Sequence, residues 1–372
     1  MRKIEIKGRI KFTQFISLHK DEPSKLEQPE MNVQKLIETT KTLVADNKGL
    51  LAMDESNPTC NKRFAKLSIP QTEESRRAYR ELIITTPSLN EYISGAILYD
   101  ETIRQHKKDG SPFVKAITDT GILIGIKVDI GAKEMAGHSG EKITEGLDGL
   151  RDRLKEYFQM GARFAKWRAV ISIGDRIPSR GCIEANAQAL ALYAALCQEV
   201  GLVPIVEPEV LMDGEHTIER CYKVTEEVLH TVFNHLYTQR VMLEAIILKP
   251  NMVLSGLTCS EQASVDEVAN STVNCLLRNV PAAVTGIAFL SGGQSSELAS
   301  SRLNAMNLKF KSRSHWGLAF SFGRAIQQPA LEIWQGKEAN VSKAQQALLH
   351  QAKCNWAARQ GEYNDALEEK GA

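Results

Sequence analysis

Eight short apolar segments recur between residues 49 and 323, and this rhythm constrains the fold more than any other feature of the chain. The stretches between them have helical period, as in residues 182–201 and 219–240. Buried strands that alternate with helices pair in parallel. Eight of them in a region close to the usual size of about 250 residues predict an α/β fold, a TIM (β/α)₈ barrel. The predicted strands are GLLAMDE (49–55), ISGAILYDE (93–101), LIGIKVD (123–129), FAKWRAVI (164–171), VPIVEPEV (203–210), AIILKPNM (245–252), GIAFLSGG (286–293) and WGLAFSFG (316–323).

A doubly wound open sheet is the main alternative to the barrel. Such a sheet usually has a glycine-rich turn after its first strand, whereas MDESNPTC (53–60) stands there. The chain contains neither GxGxxG nor GxxxxGK followed by Ser or Thr. We therefore predict a single barrel domain at residues 31–341. A tail at residues 1–30 would precede it, and a terminal helix (342–360) with a polar tail would occupy residues 342–372.

The charge balance and the lengths of the apolar runs exclude several classes of partner. Lysine and arginine number 46 against 45 aspartate and glutamate residues, so no nucleic acid or membrane surface is an expected partner. No apolar run approaches the roughly 20 residues of a membrane span. The basic residues 1–20 lack a secretory signal core, so we expect a solvated tail, with an organelle transit segment or translation from Met31 as alternatives. Seven scattered cysteines without CxxC favour a reduced, cytoplasmic setting.

Charged residues collect where the predicted strands end, which is where a barrel of this type carries its functional groups. Residues two apart in a strand face the same side, so several of these charges would point together into the barrel mouth. A single lysine or carboxylate at a strand end is usually solvated or structural. Charges at the ends of several strands favour a common site, in which they would have to pair with one another. These residues are Asp54, Lys127, Asp129, Lys166, Arg168, Glu207, Glu209 and Lys249.

The segments after the last two strands have the features of a phosphate site. Adjacent Gly292 and Gly293 let backbone N–H groups approach an anion, and Ser291 lies beside them. Gly323 precedes Arg324, whose planar guanidinium suits a phosphate. The loops after strands seven and eight commonly bind phosphate in this fold. Lys62 and Arg63 could hold a second anionic group together with Arg168.

The strand-end residues favour imine chemistry over metal catalysis. The eight histidines show no ligand spacing such as HxxxH, so no metal or cofactor is expected. An ordinary lysine is protonated at neutral pH, but burial near Lys127 and Lys166 would favour the neutral amine of Lys249. That amine could form a Schiff base, and the strand-end carboxylates could transfer the protons. The residues therefore indicate an imine-forming lyase that acts on a phosphorylated sugar.

The chain resembles the Schiff-base (class I) fructose-bisphosphate aldolases over roughly residues 31–360. The motifs are long and stand in the family's order: GLLAMDES, RRAYRELIITTP, EYISGAILYDET, GIKVD, GARFAKWR, GLVPIVEPEVLMDGEH, ILKPNM, FLSGGQS and SFGRA. The resemblance implies reversible cleavage of fructose 1,6-bisphosphate to dihydroxyacetone phosphate and glyceraldehyde 3-phosphate, in glycolysis and gluconeogenesis. It also implies a metal-independent enzyme that needs no cofactor and forms a homotetramer.

The resemblance assigns roles to individual residues. Lys249 would form the Schiff base, and Glu207 would be the main general acid and base for its dehydration. Lys166 would assist proton transfer, while Asp54 would take the proton whose loss drives bond cleavage. The charge network would be completed by Glu209 and Lys127. The phosphate next to the carbonyl would contact Ser291, Gly292, Gly293, Gly323 and Arg324, and the far phosphate would contact Thr59, Lys62 and Arg168.

Three features depart from the family's usual pattern. SNPTCNKR (56–63) stands in place of a turn like STGTIAKR, so Pro58 would stiffen that loop. Phe322 stands where tyrosine is common, which would remove one hydroxyl near the phosphate. The chain ends GEYNDALEEKGA, without the C-terminal tyrosine that assists proton exchange on the enamine in many eukaryotic members. We do not assign that role to Tyr363.

Two alternatives to this function stay open from the sequence. The first is another lysine-imine aldolase or transaldolase of phosphorylated sugars, and the second is a barrel with an additional non-catalytic binding role. Two candidate anion sites and the full series of motifs favour the bisphosphate aldolase. The presence of Lys249 and Glu207 argues against a barrel that only binds partners.

Overall fold

The computed structural model describes residues 29–369, which form a closed parallel barrel of eight strands surrounded by helices. The strands follow one another around the barrel in chain order, and the last pairs with the first through Ser321 and Leu50. The predicted TIM barrel is confirmed, and each predicted apolar segment contains one strand. Most of the predicted tail at residues 1–30 lies outside the described residues. The first to eighth barrel strands are Gly49–Ala52, Ile93–Leu98, Leu123–Lys127, Phe164–Ile171, Val203–Val210, Ile247–Leu248, Gly286–Phe289 and Gly317–Phe322.

The helices predicted at residues 182–201 and 219–240 are observed at Arg180–Val200 and Ile218–Thr238. Each helix is preceded by a hydroxyl residue at its N-cap, Ser179 or Thr217, whose side chain accepts a hydrogen bond from a backbone N–H of the first turn. Among the described residues, no helix is both long enough and apolar enough to cross a membrane. The other α-helices are Pro29–Leu43, Asn57–Ala65, Glu73–Ile84, Asp100–Arg104, Phe113–Thr118, Leu150–Gln159, Val265–Asn279, Ser296–Phe310, Arg324–Trp334, Val341–Gln360 and Asp365–Glu369, and short 3₁₀ helices lie at Leu89–Glu91, Leu243–Ala245 and Glu338–Asn340.

Apolar side chains fill the barrel below its mouth. The helix Pro29–Leu43 closes the N-terminal end, and Leu36 and Leu43 are buried among the inward-facing side chains of the strands. Gly125 is the register partner of Phe164, and a Cβ at Gly125 would lie 2.0 Å from the Phe164 ring. The absence of a side chain at Gly125 therefore makes room for the ring. The lower barrel is a packed core, so chemistry is confined to the carboxyl end of the strands.

The sixth barrel strand ends at Leu248, directly before Lys249. The Lys249 N–H donates to the Val206 carbonyl at 2.8 Å, which continues the ladder with the fifth strand by one bond. Pro250 has no N–H to donate, but its carbonyl accepts the Leu290 N–H at 3.2 Å. The backbone on either side of Lys249 is therefore tied to both neighbouring strands, and the direction of its side chain is fixed.

A two-stranded antiparallel hairpin, Gly131–Glu134 paired with Lys142–Glu145, follows the third barrel strand. The apolar rhythm does not predict it, because its strands are short and largely polar. Asn186 fastens the hairpin to the neighbouring helix, donating to the Lys142 carbonyl at 2.8 Å and accepting the Thr144 N–H at 3.3 Å. The hairpin therefore stands at one side of the barrel mouth.

The terminal helix Val341–Gln360 begins one residue before its predicted start. Near its end, the buried Arg359 donates to the carbonyls of Lys48 and Val44, the latter at 2.6 Å. Those carbonyls lie in the turn between the helix Pro29–Leu43 and the first barrel strand. The terminal helix is thereby anchored at the N-terminal end of the barrel, away from the mouth.

The last short helix, Asp365–Glu369, is held by hydrogen bonds to the terminal helix. His350 Nε2 lies 3.0 Å from the Glu368 carbonyl and 3.4 Å from Cys354 Sγ. The Tyr363 hydroxyl donates to Glu368 Oε2 at 2.9 Å, and burial together with this contact raises the pKa of Tyr363. Tyr363 is thus used to dock the C-terminal segment.

Replacement of Gly125 by alanine tests the packing of the lower barrel. Gly125→Ala is expected to lower the free energy of unfolding by about 1–3 kcal/mol, because the new methyl group overlaps the Phe164 ring. Denaturant unfolding of the purified protein measures the change. The double variant Gly125→Ala/Phe164→Leu should be less destabilised than the two single effects predict, since the smaller side chain leaves room. A Gly125→Ala protein as stable as the wild type would contradict this packing.

Candidate active site

Residues on, or directly after, each of the eight barrel strands line one cavity of about 980 Å³ at the carboxyl end of the barrel. This is the end at which barrels of this type carry their active sites. Gly293 is the one predicted site residue outside the lining, and a Cβ there would lie 3.3 Å from Arg324 Nη2. The predicted residues that line the cavity are Asp54, Thr59, Lys62, Arg63, Lys127, Asp129, Lys166, Arg168, Glu207, Glu209, Lys249, Ser291, Gly292, Gly323 and Arg324.

Lys249 is held inside the cavity and does not extend to solvent, since only 3% of it is exposed. Its Nζ lies 3.1 Å from Oε1 of Glu207, on the neighbouring fifth strand. Both side chains are almost completely removed from water. A proton can pass directly between two such groups, and their electrostatic interaction is stronger than it would be in water.

Lys166 is the centre of the buried charge network. Its Nζ lies 2.7 Å from Asp54 and 3.4 Å from Glu207, and Asp129 is 4.0 Å away. Burial alone would lower the pKa of Lys166, but the three carboxylates outweigh it and raise the pKa above its ordinary value. Lys166 therefore stays protonated at neutral pH and holds three carboxylates around one ammonium group.

Asp54 is kept ionised by the same contact. Burial raises the pKa of this carboxyl group, but the positive charges of Lys166, Lys249 and Lys127 lower it further, from 3.8 to about 2. An ionised carboxylate offers only acceptor sites. Asp54 is therefore able to receive a hydrogen bond, or a proton, from a hydroxyl group in the cavity.

The remaining strand-end charges form two further pairs. Lys127 lies 2.7 Å from Oδ1 of Asp129, and the guanidinium of Arg168 donates to Glu209. Burial would lower the pKa of Arg168, but Glu209 and the neighbouring carboxylates raise it. Glu209 is thus paired with an arginine, whereas Glu207 contacts both buried lysines. The two same-face glutamates of the fifth strand have different partners.

Backbone groups and one cation are available at the ends of the seventh and eighth strands. Gly292 and Gly293 have φ angles of 57° and 92°, in the left-handed region that glycine adopts readily. Gly323 lies so close to the first strand that a Cβ would be 3.1 Å from the Ala52 carbonyl. Arg324 is exposed at the rim, where no carboxylate of residues 29–369 forms an ion pair with it. Such a place suits an anion.

A second group of cations follows the first barrel strand. Lys62 and Lys66 line the cavity from the helix Asn57–Ala65 and the residue after it, and both are exposed. The guanidinium of Arg63 is less available to an anionic ligand, because it forms an ion pair with Glu55. Thr59 lies on the same helix, with its hydroxyl 3.1 Å from that of Ser56. Lys62 is therefore better placed than Arg63 to meet an anionic ligand.

Two departures from the family pattern have structural consequences other than those expected. Pro58 lies in the first turn of the helix Asn57–Ala65, where a missing N–H leaves no helical bond unmade. It therefore helps to start a helix instead of stiffening a loop. Phe322 is fully buried against Phe320, with 5.7 Å between ring centroids, and does not line the cavity. Its ring belongs to the core around the barrel.

Two cavity residues were given no role by the sequence. Asp129, which its position two residues after Lys127 places at the barrel mouth without a role of its own, bridges the third and fourth strands through Lys127 and Lys166. Ser321 is almost completely buried, and its Oγ has no hydrogen-bond partner among the described residues. Strand alternation places it on the same face as Gly323, but a single serine carries no signal by itself.

Comparison with known proteins identifies close relatives. A family model described as fructose-bisphosphate aldolase class-I matches residues 35–372. A probable fructose-bisphosphate aldolase class 1 of Xanthomonas campestris is 58% identical over 334 residues, covering 90% of this chain and 99% of the relative. The cytosolic fructose-bisphosphate aldolase 6 of Arabidopsis thaliana is 51% identical, with 91% and 94% covered. A structure of the Plasmodium falciparum aldolase, in complex with TRAP and an inhibitor, has a TM-score of 0.88 at 45% identity and covers 90% of this chain and 97% of that chain.

The low pKa of Asp54 predicts how acid affects stability. Its folded pKa of about 2 lies below the ordinary 3.8. The ionised carboxylate therefore adds to the free energy of unfolding above pH 3.8, and this stabilisation is lost as the pH falls through 2. The unfolding free energy of the wild type minus that of Asp54→Asn should therefore fall by about 2 kcal/mol across this range. Denaturant titrations at a series of pH values measure this difference. A difference that stays constant over the range would contradict the ion pair.

Proposed function

Since the chain belongs to the class I fructose-bisphosphate aldolase family, we propose that the residues at the barrel mouth carry out the family's reaction, with Lys249 as the imine-forming amine. The reaction is the reversible aldol cleavage of fructose 1,6-bisphosphate to dihydroxyacetone phosphate and glyceraldehyde 3-phosphate through a lysine Schiff base. The enzyme is a glycolytic lyase. The desolvated contact of 3.1 Å between Lys249 and Glu207 is the observation that most directly supports this assignment of residues.

Attack on the ketose carbonyl requires a neutral amine at Lys249. Glu207 is the carboxylate in ion-pair contact with its Nζ, so it can accept a proton from the ammonium group. It can return a proton to the hydroxyl of the carbinolamine, which then leaves as water and yields the iminium ion. The ammonium of Lys166, 3.4 Å from the other oxygen of Glu207, stabilises the carboxylate form of Glu207 before the first transfer and after the second, and so favours the return of the proton.

Cleavage follows when the hydroxyl on the fourth carbon of the sugar loses its proton. We assign this proton to Asp54. The bond between the third and fourth carbons then breaks, its electron pair moves to the iminium carbon–nitrogen system, and the aldehyde leaves. With a pKa of about 2, Asp54 is a weak base while Lys166 holds it. A substrate oxygen that draws Lys166 away would raise the basicity of Asp54 when the proton has to be taken.

A bisphosphate substrate needs two anion sites. For the phosphate next to the carbonyl we assign Arg324, Ser291 and the backbone of Gly292 and Gly323, with Gly293 shaping the approach to Arg324. For the far phosphate we assign Lys62 and Thr59, together with Arg168. Arg168 is already paired with Glu209, so Lys62 would supply most of the free positive charge. At the edge of the network, Glu209 would neutralise the charge of Arg168, and Lys127 would neutralise that of Asp129.

The two groups of cations favour a bisphosphate over the substrates of other imine-forming aldolases. A monophosphate would engage only one group and leave Lys62 and Lys66 without an anion. A non-catalytic binding role could accompany catalysis, but the geometry of the mouth favours the reaction. The specificity between ketose substrates would then depend on the far phosphate site.

We further propose that the enzyme is a homotetramer in the cytoplasm. The family resemblance supports the tetramer, and a second copy would cover exposed apolar side chains such as Tyr237, which is 84% exposed, or Leu308. The Arabidopsis relative named cytosolic and the seven free thiols support the location. Light scattering measures the mass of the particle, and a monomer would exclude the tetramer.

Chemical trapping tests the assignment of the nucleophile. Borohydride reduction in the presence of dihydroxyacetone phosphate should attach the three-carbon unit to Lys249, because reduction converts the imine to a stable secondary amine. Peptide mass mapping locates the adduct, and a Lys249→Met protein should give none. An adduct on another lysine, or activity that depends on a divalent metal without any adduct, would refute the assignment.

Replacement of Arg324 tests the phosphate site. Arg324→Ala should raise the KM for fructose 1,6-bisphosphate about 10- to 100-fold, as expected for the loss of a charge-assisted hydrogen bond. Steady-state kinetics measure this change, and kcat should change less. Arg180→Ala is the control, because Arg180 is exposed and does not line the cavity. An unchanged KM in Arg324→Ala would count against the phosphate assignment and leave the assignment of Lys249 standing.

A further inference from the structure

Arg302 is a buried cation without a buried anion beside it. It lies on the helix Ser296–Phe310 and is 6% exposed. In the part of the chain that the structure describes, no ion pair includes it, and its Nε has no hydrogen-bond partner. Burial lowers the pKa of Arg302 to about 10, which leaves it charged at neutral pH. An unpaired buried charge opposes folding, so its presence needs an explanation.

The contact that Arg302 makes leads to the loop Ser291–Gln294, called here the phosphate loop. Arg302 Nη1 donates to Oε1 of Gln294 at 2.8 Å. The backbone N–H and the Nε2 of Gln294 both donate to the Ser291 carbonyl, at 3.0 and 2.9 Å. A guanidinium only donates hydrogen bonds, so it holds Oε1 of Gln294 towards itself and Nε2 towards Ser291. Arg302 thereby fixes the amide that closes the loop.

We propose that Arg302 is a positioning residue for the substrate phosphate. It acts through Gln294, which holds the turn at Gly292 and Gly293 in the conformation that presents its N–H groups. Its charge also adds to the positive potential behind the loop, where screening by water is weak. The phosphate dianion supplies the negative charge that the free protein lacks at this point. This inference rests on the proposed phosphate site and extends it to a side chain that does not touch the ligand.

A buried arginine at the other end of the barrel provides a matched comparison. Arg359 is also 6% exposed, and burial lowers its pKa to about 10 as well. Its guanidinium donates to the carbonyls of Val44 and Lys48 and ties the terminal helix to the barrel. Arg359 has structural contacts only, whereas the partner of Arg302 belongs to the phosphate loop. The two residues should therefore respond differently to the same substitution.

Arg302→Met removes the charge and keeps an extended side chain. We expect the KM for fructose 1,6-bisphosphate and the inhibition constant of inorganic phosphate to rise about tenfold, the size expected for one charge-assisted interaction. The larger part of the effect should lie in KM and not in kcat. The melting temperature should stay the same or rise, because an uncompensated buried charge has been removed. Arg359→Met should show the reverse, a lower melting temperature with unchanged phosphate inhibition.

A second variant keeps the test decisive if Arg302→Met does not fold. Gln294→Glu places a carboxylate against Arg302, which neutralises the charge of Arg302, and it removes the side-chain donor to the Ser291 carbonyl. The protein should stay folded and bind inorganic phosphate more weakly than the wild type. Unchanged phosphate inhibition in a folded Gln294→Glu protein would overturn the proposal.

The remaining outcomes separate this inference from the phosphate site itself. A folded Arg302→Met protein with unchanged KM and unchanged phosphate inhibition overturns the role of Arg302, whatever its melting temperature. If Arg324→Ala weakens phosphate inhibition in the same series, the phosphate site stands and only the role of Arg302 fails. If neither Arg324→Ala nor Arg302→Met changes phosphate inhibition, the phosphate site is wrong as well.

Discussion

The ammonium of Lys166 is the group on which the arrangement at the barrel mouth depends. Without it, Asp54, Glu207 and Asp129 would be buried carboxylates facing one another, a state that would draw in water or protons. With it, each carboxylate has a cation close by in a place that water reaches poorly, and Glu207 still has an oxygen free to contact Lys249. A desolvated but balanced site can respond to small movements of a substrate with large changes in proton affinity. The charges are therefore arranged before any substrate arrives.

The two proposed kinds of functional group lie on different parts of the barrel, one on the strands and the other on the loops. The charged groups proposed to exchange protons lie on strands or just after them, where ladder bonds such as that from Lys249 to Val206 fix their direction. The groups proposed to hold phosphate lie on turns and at helix starts, such as the left-handed turn at Gly292 and Gly293. Behind the turn, Arg302 donates to the side chain of Gln294, whose amide in turn donates to the Ser291 carbonyl. The sheet thus fixes the positions of the groups proposed to react, whereas the proposed anion sites depend on local side-chain contacts.

Much of this could be read from the sequence, because the information lies in periodicity. The apolar rhythm predicts eight strands, and the spacing of Lys127 with Asp129, or Glu207 with Glu209, predicts that their side chains share a face. The choice of partner could not be predicted. Glu209 pairs with Arg168 because the two residues stand on neighbouring strands with matching reach, which depends on register and rotamer.

Burial was a second limit on what the sequence could reveal. Nothing in the sequence distinguishes the buried Arg302 from an arginine on a helix surface. The polar hairpin after the third strand lacks the alternation of apolar and polar residues from which a strand can be predicted. The burial of Ser321 likewise depends on side chains from other segments of the chain. These features emerge only when distant segments pack against one another, so a local pattern cannot contain them.

The pairing of the first and eighth barrel strands, Leu50 with Ser321 and Leu51 with Phe322, has a consequence for how the protein acquires activity during folding. The segments that meet there lie far apart in the chain, so the ring closes only after a costly loop has been ordered. Asp54 and Arg324 lie two residues beyond the ends of these two strands, and they belong to the same cavity only when the ring is closed. A partly folded chain can carry the lysines of the middle strands, but it lacks a complete pocket. Catalytic turnover during refolding is therefore a reporter of ring closure, the strand pairing with the greatest sequence separation in the barrel.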